Sequence, residues 1–172
     1  MITLFEHYKP IARIILSPTA SKAEHRAATE FQRVIRQMSG AELVITTTEP
    51  VDTPGVYIGR AASESEVDLS ETRLGFDGYL IKVTGQRLIL MGRRGYSALY
   101  AVYHVLERHL GCGFFEEGDQ IPQRASGSIE DMETYCKPRF QWRLYFANMQ
   151  DAYSGMRWWT WEEFKPWIDY LV

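Results

Sequence analysis

The chain has 172 residues, a hydrophobic content of 45% and a net charge of −3. These values fit one globular domain with a real core, plus at most a fragment of a second, and exclude a disordered chain. The slight acidic balance offers no electrostatic basis for binding nucleic acid or an anionic bilayer, and two cysteines, Cys112 and Cys136, are too few for a disulfide framework and lack metal-site spacing.

The opening stretch, "MITLFEHYKPIARIILSPTA", has no charged region followed by an unbroken apolar run, so no secretory signal is read there. No segment approaches the roughly 18 apolar residues of a membrane span. A soluble, cytoplasmic protein is expected. "ARIILS" (Ala12–Ser17) reads as a buried strand, and "SPTASKAEHRAATEFQRVIRQMSG" as a helix. Its apolar residues Ala27, Phe31, Val34, Ile35 and Met38 recur on one helical face, and Gly40 stands where a C-cap belongs. "AELVITTT" and "GVYIGRA" are two further strands, the second followed by a polar loop. "GYLIKVTGQRLILMG" is a hairpin turning around Thr84-Gly85-Gln86. A second helix runs from about Tyr96 to Leu110, burying Leu99, Tyr103, Leu106 and Leu110 and stopping at Gly111. "CGFFEEGDQIPQ" and "GSIEDMETY" are short extended pieces. The predicted fold class is α/β (α+β): a two-layer sandwich in which a mixed sheet carries both helices on one face.

A boundary falls at "YCKPRF", because Pro138 disfavours helix at Lys137 and aromatic residues crowd the sequence beyond it. Residues 1–136 form the first unit and 137–172 the second. "QWRLYFANM" alternates like a strand, "QDAYSGMR" is a polar loop, and Thr160 with Glu163 has the capping-box spacing that opens a helix. That helix would carry Trp161, Phe164, Trp167, Ile168 and Leu171 close to one face, with Pro166 as a kink or a late start. One strand, loop and helix cannot bury its own apolar side, so chain beyond Val172 or a partner is expected to cover it.

Two stretches resemble known families. "LILMGRRGYSALYAVYHVLERHLGCGFFEEGDQIP" looks like the small α/β domain that precedes the catalytic barrel in several glycoside hydrolases, among them hexosaminidases, α-glucuronidases and α-N-acetylglucosaminidases. "KPRFQWRLYFANMQDAYSGMRWWTWEEFKPWIDYL" is similar to the first strand, loop and helix of the barrel in the α-N-acetylglucosaminidases of family 89, above all at Trp158-Trp159-x-Trp161 and Ile168-Asp169-Tyr170. The resemblance implies a (β/α)8 barrel of which residues 137–172 are the first fragment, with chemistry at the C-terminal ends of its strands. Asn148 ends the strand concerned, and in the family an asparagine at the matching position lines the sugar pocket. Where the family carries a Cys-Thr pair, this chain has Gln150-Asp151, which leaves a related glycosidase of different specificity open.

The candidate substrate contacts are therefore Asn148, Gln150, Asp151, Tyr153, Trp158 and Trp159. For the tryptophan pair, sugar stacking competes with a plain role in anchoring the first barrel helix. No catalytic residue, metal or cofactor is expected, because the family's catalytic glutamates belong to later strands. Glu116 and Glu117 are neighbours that point apart in an extended chain, so they cannot flank one glycosidic bond. Glu162 and Glu163 suit a helix N-terminus. "GRRG" lacks the phosphate-loop pattern and reads as a tight strand-to-helix turn, with Arg93 or Arg94 available to pair across the domain interface. His104 and His109 stand about 140° apart on a helix, too far round to share a metal. The chain is expected to be an inert accessory domain that meets carbohydrate through a larger hydrolase. A self-sufficient carbohydrate-binding module, with Trp158, Trp159, Tyr153 and Asn148 as its platform, stays open. So does a protein-interaction domain that self-associates through its aromatic end.

Overall fold

The computed structural model describes residues 1–49, 52–61, 69–115, 118–140, 160–162 and 165. In chain order the elements are β1 (Ile2–Glu6), β2 (Lys9–Pro10), β3 (Arg13–Ile15), α1 (Lys22–Ser39), β4 (Ile45–Thr46), β5 (Gly55–Ile58), a 3-10 turn (Gly59–Ala61), the short α2 (Glu71–Leu74), β6 (Tyr79–Thr84), β7 (Arg87–Gly92), α3 (Ser97–Arg108), β8 (Gly113–Phe115), β9 (Gly118–Gln120), β10 (Gly127–Ile129) and β11 (Met132–Cys136).

Six strands form the main sheet in the order β11-β6-β7-β5-β3-β4. Strands β4, β3, β5 and β7 are mutually parallel, while β6 runs antiparallel to both β7 and β11. Successive strand side chains point to opposite faces. Ile14, Val56, Ile58, Ile81, Val83, Leu88 and Leu90 accordingly join one core with α1 and α3, whereas Ile15, Tyr57, Ile89 and Met91 form a small cluster with Ala61 and Leu69 on the other face. Both long helices thus cover one face, which is the layered α/β arrangement expected from the sequence.

Helix α1 forms as its apolar spacing requires. Ala27, Phe31, Val34, Ile35 and Met38 are fully buried, and Gly40 closes the helix in the left-handed region at φ 74°. Ile35 is fully buried in the core, and protein interiors are close-packed. Ile35→Val should therefore lower unfolding free energy by about 0.5–1.5 kcal/mol in urea titrations, without changing the denaturant slope.

The structure departs from the sequence reading at several points. Gly59–Ala61 at the end of "GVYIGRA" is a 3-10 turn, not strand, and Glu71–Leu74, reaching into the polar loop behind it, is helix α2. Only Ile45–Thr46 of "AELVITTT" pairs as strand, because it lies at the sheet edge with β3 as its single neighbour, and Val44 is left 56% exposed. The N-terminal stretch, read only for signals, supplies β1 and β2, which join β10 in a separate three-stranded sheet. The stretch "CGFFEEGDQIPQ", read as extended, holds two short strands, β8 and β9, which pair antiparallel. The barrel fragment expected over 137–172 falls almost wholly outside the described residues. Among the described residues no helix is long and apolar enough to cross a membrane.

Candidate functional site

In sheets with parallel strands, ligands gather beyond the carboxyl ends of the strands, where the strand order reverses. Here the reversal lies at β3: β4 is added on one side of it and β5 on the other. The loop after β3 leads into α1, and the 3-10 turn follows β5. Both converge on Glu24.

Glu24 is 2% exposed. One carboxylate oxygen accepts from the backbone N–H and hydroxyl of Ser21, both at 2.7 Å, and the other accepts from the Arg60 backbone N–H at 2.8 Å. The Ser21 hydroxyl oxygen in turn accepts from the Glu24 N–H, completing a capping box. Burial by itself pushes the carboxyl pKa up, but the three donors and the Arg60 charge together hold it below its ordinary value. Gly59 makes the approach of the turn feasible. Its φ is 63°, and a Cβ there would lie 2.0 Å from Glu24 Oε1. The chain's own carboxylate thus fills the space between the β3–α1 loop and the turn after β5.

Beside Glu24 opens a cavity of about 410 Å³ walled by Arg60, Met91, Arg93, Arg94 and Tyr96. Glu24 is the single carboxylate among its described lining residues. The described residues there thus supply one carboxyl group, where hydrolysis of a glycoside commonly uses a pair. Arg93 donates to Gly75 O at 2.7 Å and pairs with Glu71 at 2.9 Å. Arg94 donates to Phe76 O at 3.3 Å, with its guanidinium carbon 3.8 Å from the Phe76 ring centroid. The sequence left these arginines to a domain interface; the structure gives both of them partners within the domain, across the turn before β6. The tight-turn reading of "GRRG" fits the packing, since a Cβ at Gly92 would lie 2.2 Å from Ser97 Cβ.

A second cluster sits between β6, β11 and α3. The Tyr79 hydroxyl lies 3.0 Å from His104 Nδ1, and Cys136 Sγ lies 3.6 Å from the same nitrogen. Desolvation, then the neighbouring His109 and Arg108 charges, keep the His104 pKa low, and desolvation with the Cys136 contact raises that of Tyr79. The rings of His104 and His109, the latter at the C-cap of α3, stack with centroids 6.2 Å apart. Among the described residues no group of three or more His, Cys, Asp or Glu side chains is placed to hold a metal. Cys112 is buried, which pushes its thiol pKa up to about 11.

The sequence-derived contacts Asn148, Gln150, Asp151, Tyr153, Trp158 and Trp159 lie outside the described residues, as do Glu116, Glu117 and Glu163. Of the aromatic end, Trp161 is described and is 63% exposed. Sequence reasoning missed Glu24, although Ser21 and Glu24 have the S-x-x-E spacing of a capping box and stand directly before the apolar face of α1.

Residues 3–105 match the family model described as "Glycosyl hydrolase family 67 N-terminus". No curated protein matches the chain. Among solved structures, the chain is similar to a family GH115 4-O-methyl-α-glucuronidase with specificity for decorated arabinogalactans, BtGH115A, with TM-score 0.62 and 13% identity over 78% of this chain and 18% of that one. A weaker likeness is to CpGH84D, with TM-score 0.43 and 12% identity over 58% of this chain and 17% of that one. At these identities the GH115 likeness speaks for the fold, and this chain spans less than a fifth of that protein's length. The family match is to family 67, not to the family 89 that the aromatic end resembles. Its coverage of residues 3–105, from β1 into α3, makes this chain a member of the glycosyl hydrolase family 67 N-terminal domains.

Proposed function

We propose that this chain serves as the non-catalytic N-terminal domain of a larger glycoside hydrolase of the α-glucuronidase kind. The observation that carries the reading is the family match over residues 3–105. The fold likeness to a 4-O-methyl-α-glucuronidase supports the same direction, as does the resemblance of "LILMGRRGYSALYAVYHVLERHLG" to the domain preceding such barrels. Glu24, the one carboxylate among the described residues of the central crevice, is saturated by its own chain, which suits a supporting role. The hydrolytic carboxyl groups are assigned to the barrel of the complete protein, and Asn148, Gln150, Asp151, Tyr153, Trp158 and Trp159 to its substrate pocket. A second reading, α-N-acetylglucosaminidase, is favoured by one feature, the Trp158-Trp159-x-Trp161 run.

The test assays the complete gene product and the 172-residue chain on 4-nitrophenyl α-glucuronide and 4-nitrophenyl α-N-acetylglucosaminide. Turnover of the glucuronide by the complete protein alone is the expected result. Turnover by the short chain would refute the accessory role, and hydrolysis of the N-acetylglucosaminide only would establish the second reading.

A further inference from the structure

We propose that the arginine-walled cavity beside Glu24 binds a small acidic sugar, of the charge and size of a hexuronate. Arg60, Arg93 and Arg94 line one concave space. Arg93 is committed to Gly75 and Glu71, and Arg94 donates its Nε–H to Phe76 O. The donors offered to a ligand are therefore those of Arg60 and the two terminal nitrogens of Arg94, and a guanidinium is the side chain best shaped for bidentate recognition of a carboxylate. The carboxylate already present, Glu24, is turned into its own donors at Ser21 and Arg60. The volume, about 410 Å³, falls within the roughly 300–1,000 Å³ of small-molecule pockets and is more than an inorganic anion needs. Leu69 and Met91 give the cavity apolar wall, and Tyr96 adds an aromatic one, against which the C–H face of a sugar ring can rest.

The start of α3 adds to this: its first turn carries no acidic residue, and its N-cap, Tyr96, makes no side-chain capping bond and lines the cavity. Position agrees, since the cavity lies beyond the carboxyl ends of β5 and β7. The rival for these arginines is the chain itself, which carries Glu64, Glu66 and Asp68 shortly after Arg60 in sequence. The inference rests on this domain's residues and holds whichever glycoside the complete protein cleaves.

The experiment titrates D-glucuronate, D-glucose and sodium sulfate separately into the 172-residue chain, following backbone amides by two-dimensional NMR. Glucuronate is expected to shift the amides of Gly92–Ser97 and Arg60 saturably at about millimolar concentration, and glucose is expected to leave them in place. Arg60→Gln should weaken binding by about tenfold, as loss of a charged hydrogen-bonding partner implies, and Arg60→Lys should recover part of it. Equal response to glucose, no response to glucuronate, or a sulfate response as strong as that to glucuronate would each overturn the proposal. If Arg60→Gln fails to fold, the comparison of glucuronate, glucose and sulfate on the unaltered chain decides alone.

Discussion

Gly59→Ala is expected to lower the unfolding free energy by about 4 kcal/mol and the melting temperature by on the order of 10 °C. Two independent costs meet at this position. Its φ of 63° is left-handed, which costs a residue bearing a Cβ roughly 1–2 kcal/mol. The new methyl would also sit 2.0 Å from Glu24 Oε1 and 2.5 Å from Cδ and Cγ. Glu24 is not a flexible end that can swing aside, because Ser21 and Arg60 hold both oxygens. If it moves, buried donors lose their acceptor at about 1–3 kcal/mol each. Gly40→Ala is the control. That glycine has a similar φ of 74° but nothing within 4 Å of its would-be Cβ, so only the backbone cost of about 1 kcal/mol remains. Thermal unfolding followed by circular dichroism separates the two. Equal losses at both glycines would show that crowding against Glu24 contributes nothing.

Glu24→Ala carries the second large effect, a loss of about 3 kcal/mol. It removes one half of the capping box of α1 and leaves the Ser21 N–H and hydroxyl and the Arg60 N–H without their acceptor. Glu24→Gln keeps one acceptor oxygen but turns an NH₂ donor towards N–H groups, so an intermediate loss is expected. The carboxyl pKa is lower in the folded chain than its ordinary 4.5. Its stabilising contribution is therefore complete above pH 4.5 and is lost as the pH falls through the depressed folded value. The gap in urea-unfolding free energy between the unaltered chain and Glu24→Gln should be widest near neutrality and close in acid. A gap that stays constant down to pH 3 would contradict the assigned hydrogen bonding.

Where one element carries its own signal, the sequence suffices. Helix α1 shows its buried face, its N-terminal spacing and its glycine stop within one contiguous stretch, and the β6–β7 hairpin shows two apolar runs around a two-residue turn. Strand β1 has no such local mark. Its buried residues are Ile2, Leu4 and Phe5, and the register with β10 shifts between Thr3 and Phe5, so period-two alternation is broken. The candidate site was half legible. "GRRG" drew attention as a turn, but the partner of that turn, Arg60, and the carboxylate between them belong to separate segments that meet only once β3, β5 and β7 lie side by side. Pairings of Arg93 and Arg94 with the stretch before β6 are long-range in the same sense, which is why a domain interface seemed the natural place for them.

The pairing of β1 with β10 fixes an order of events during synthesis. Thr3 faces Ser128 across a sequence separation of 125. At the usual pace of about 5–20 residues per second, β1 waits on the order of ten seconds for β10 to be made. Until then β1 has only β2 beside it, and the edge that β10 will cover stays open next to Ile2, Leu4 and Phe5.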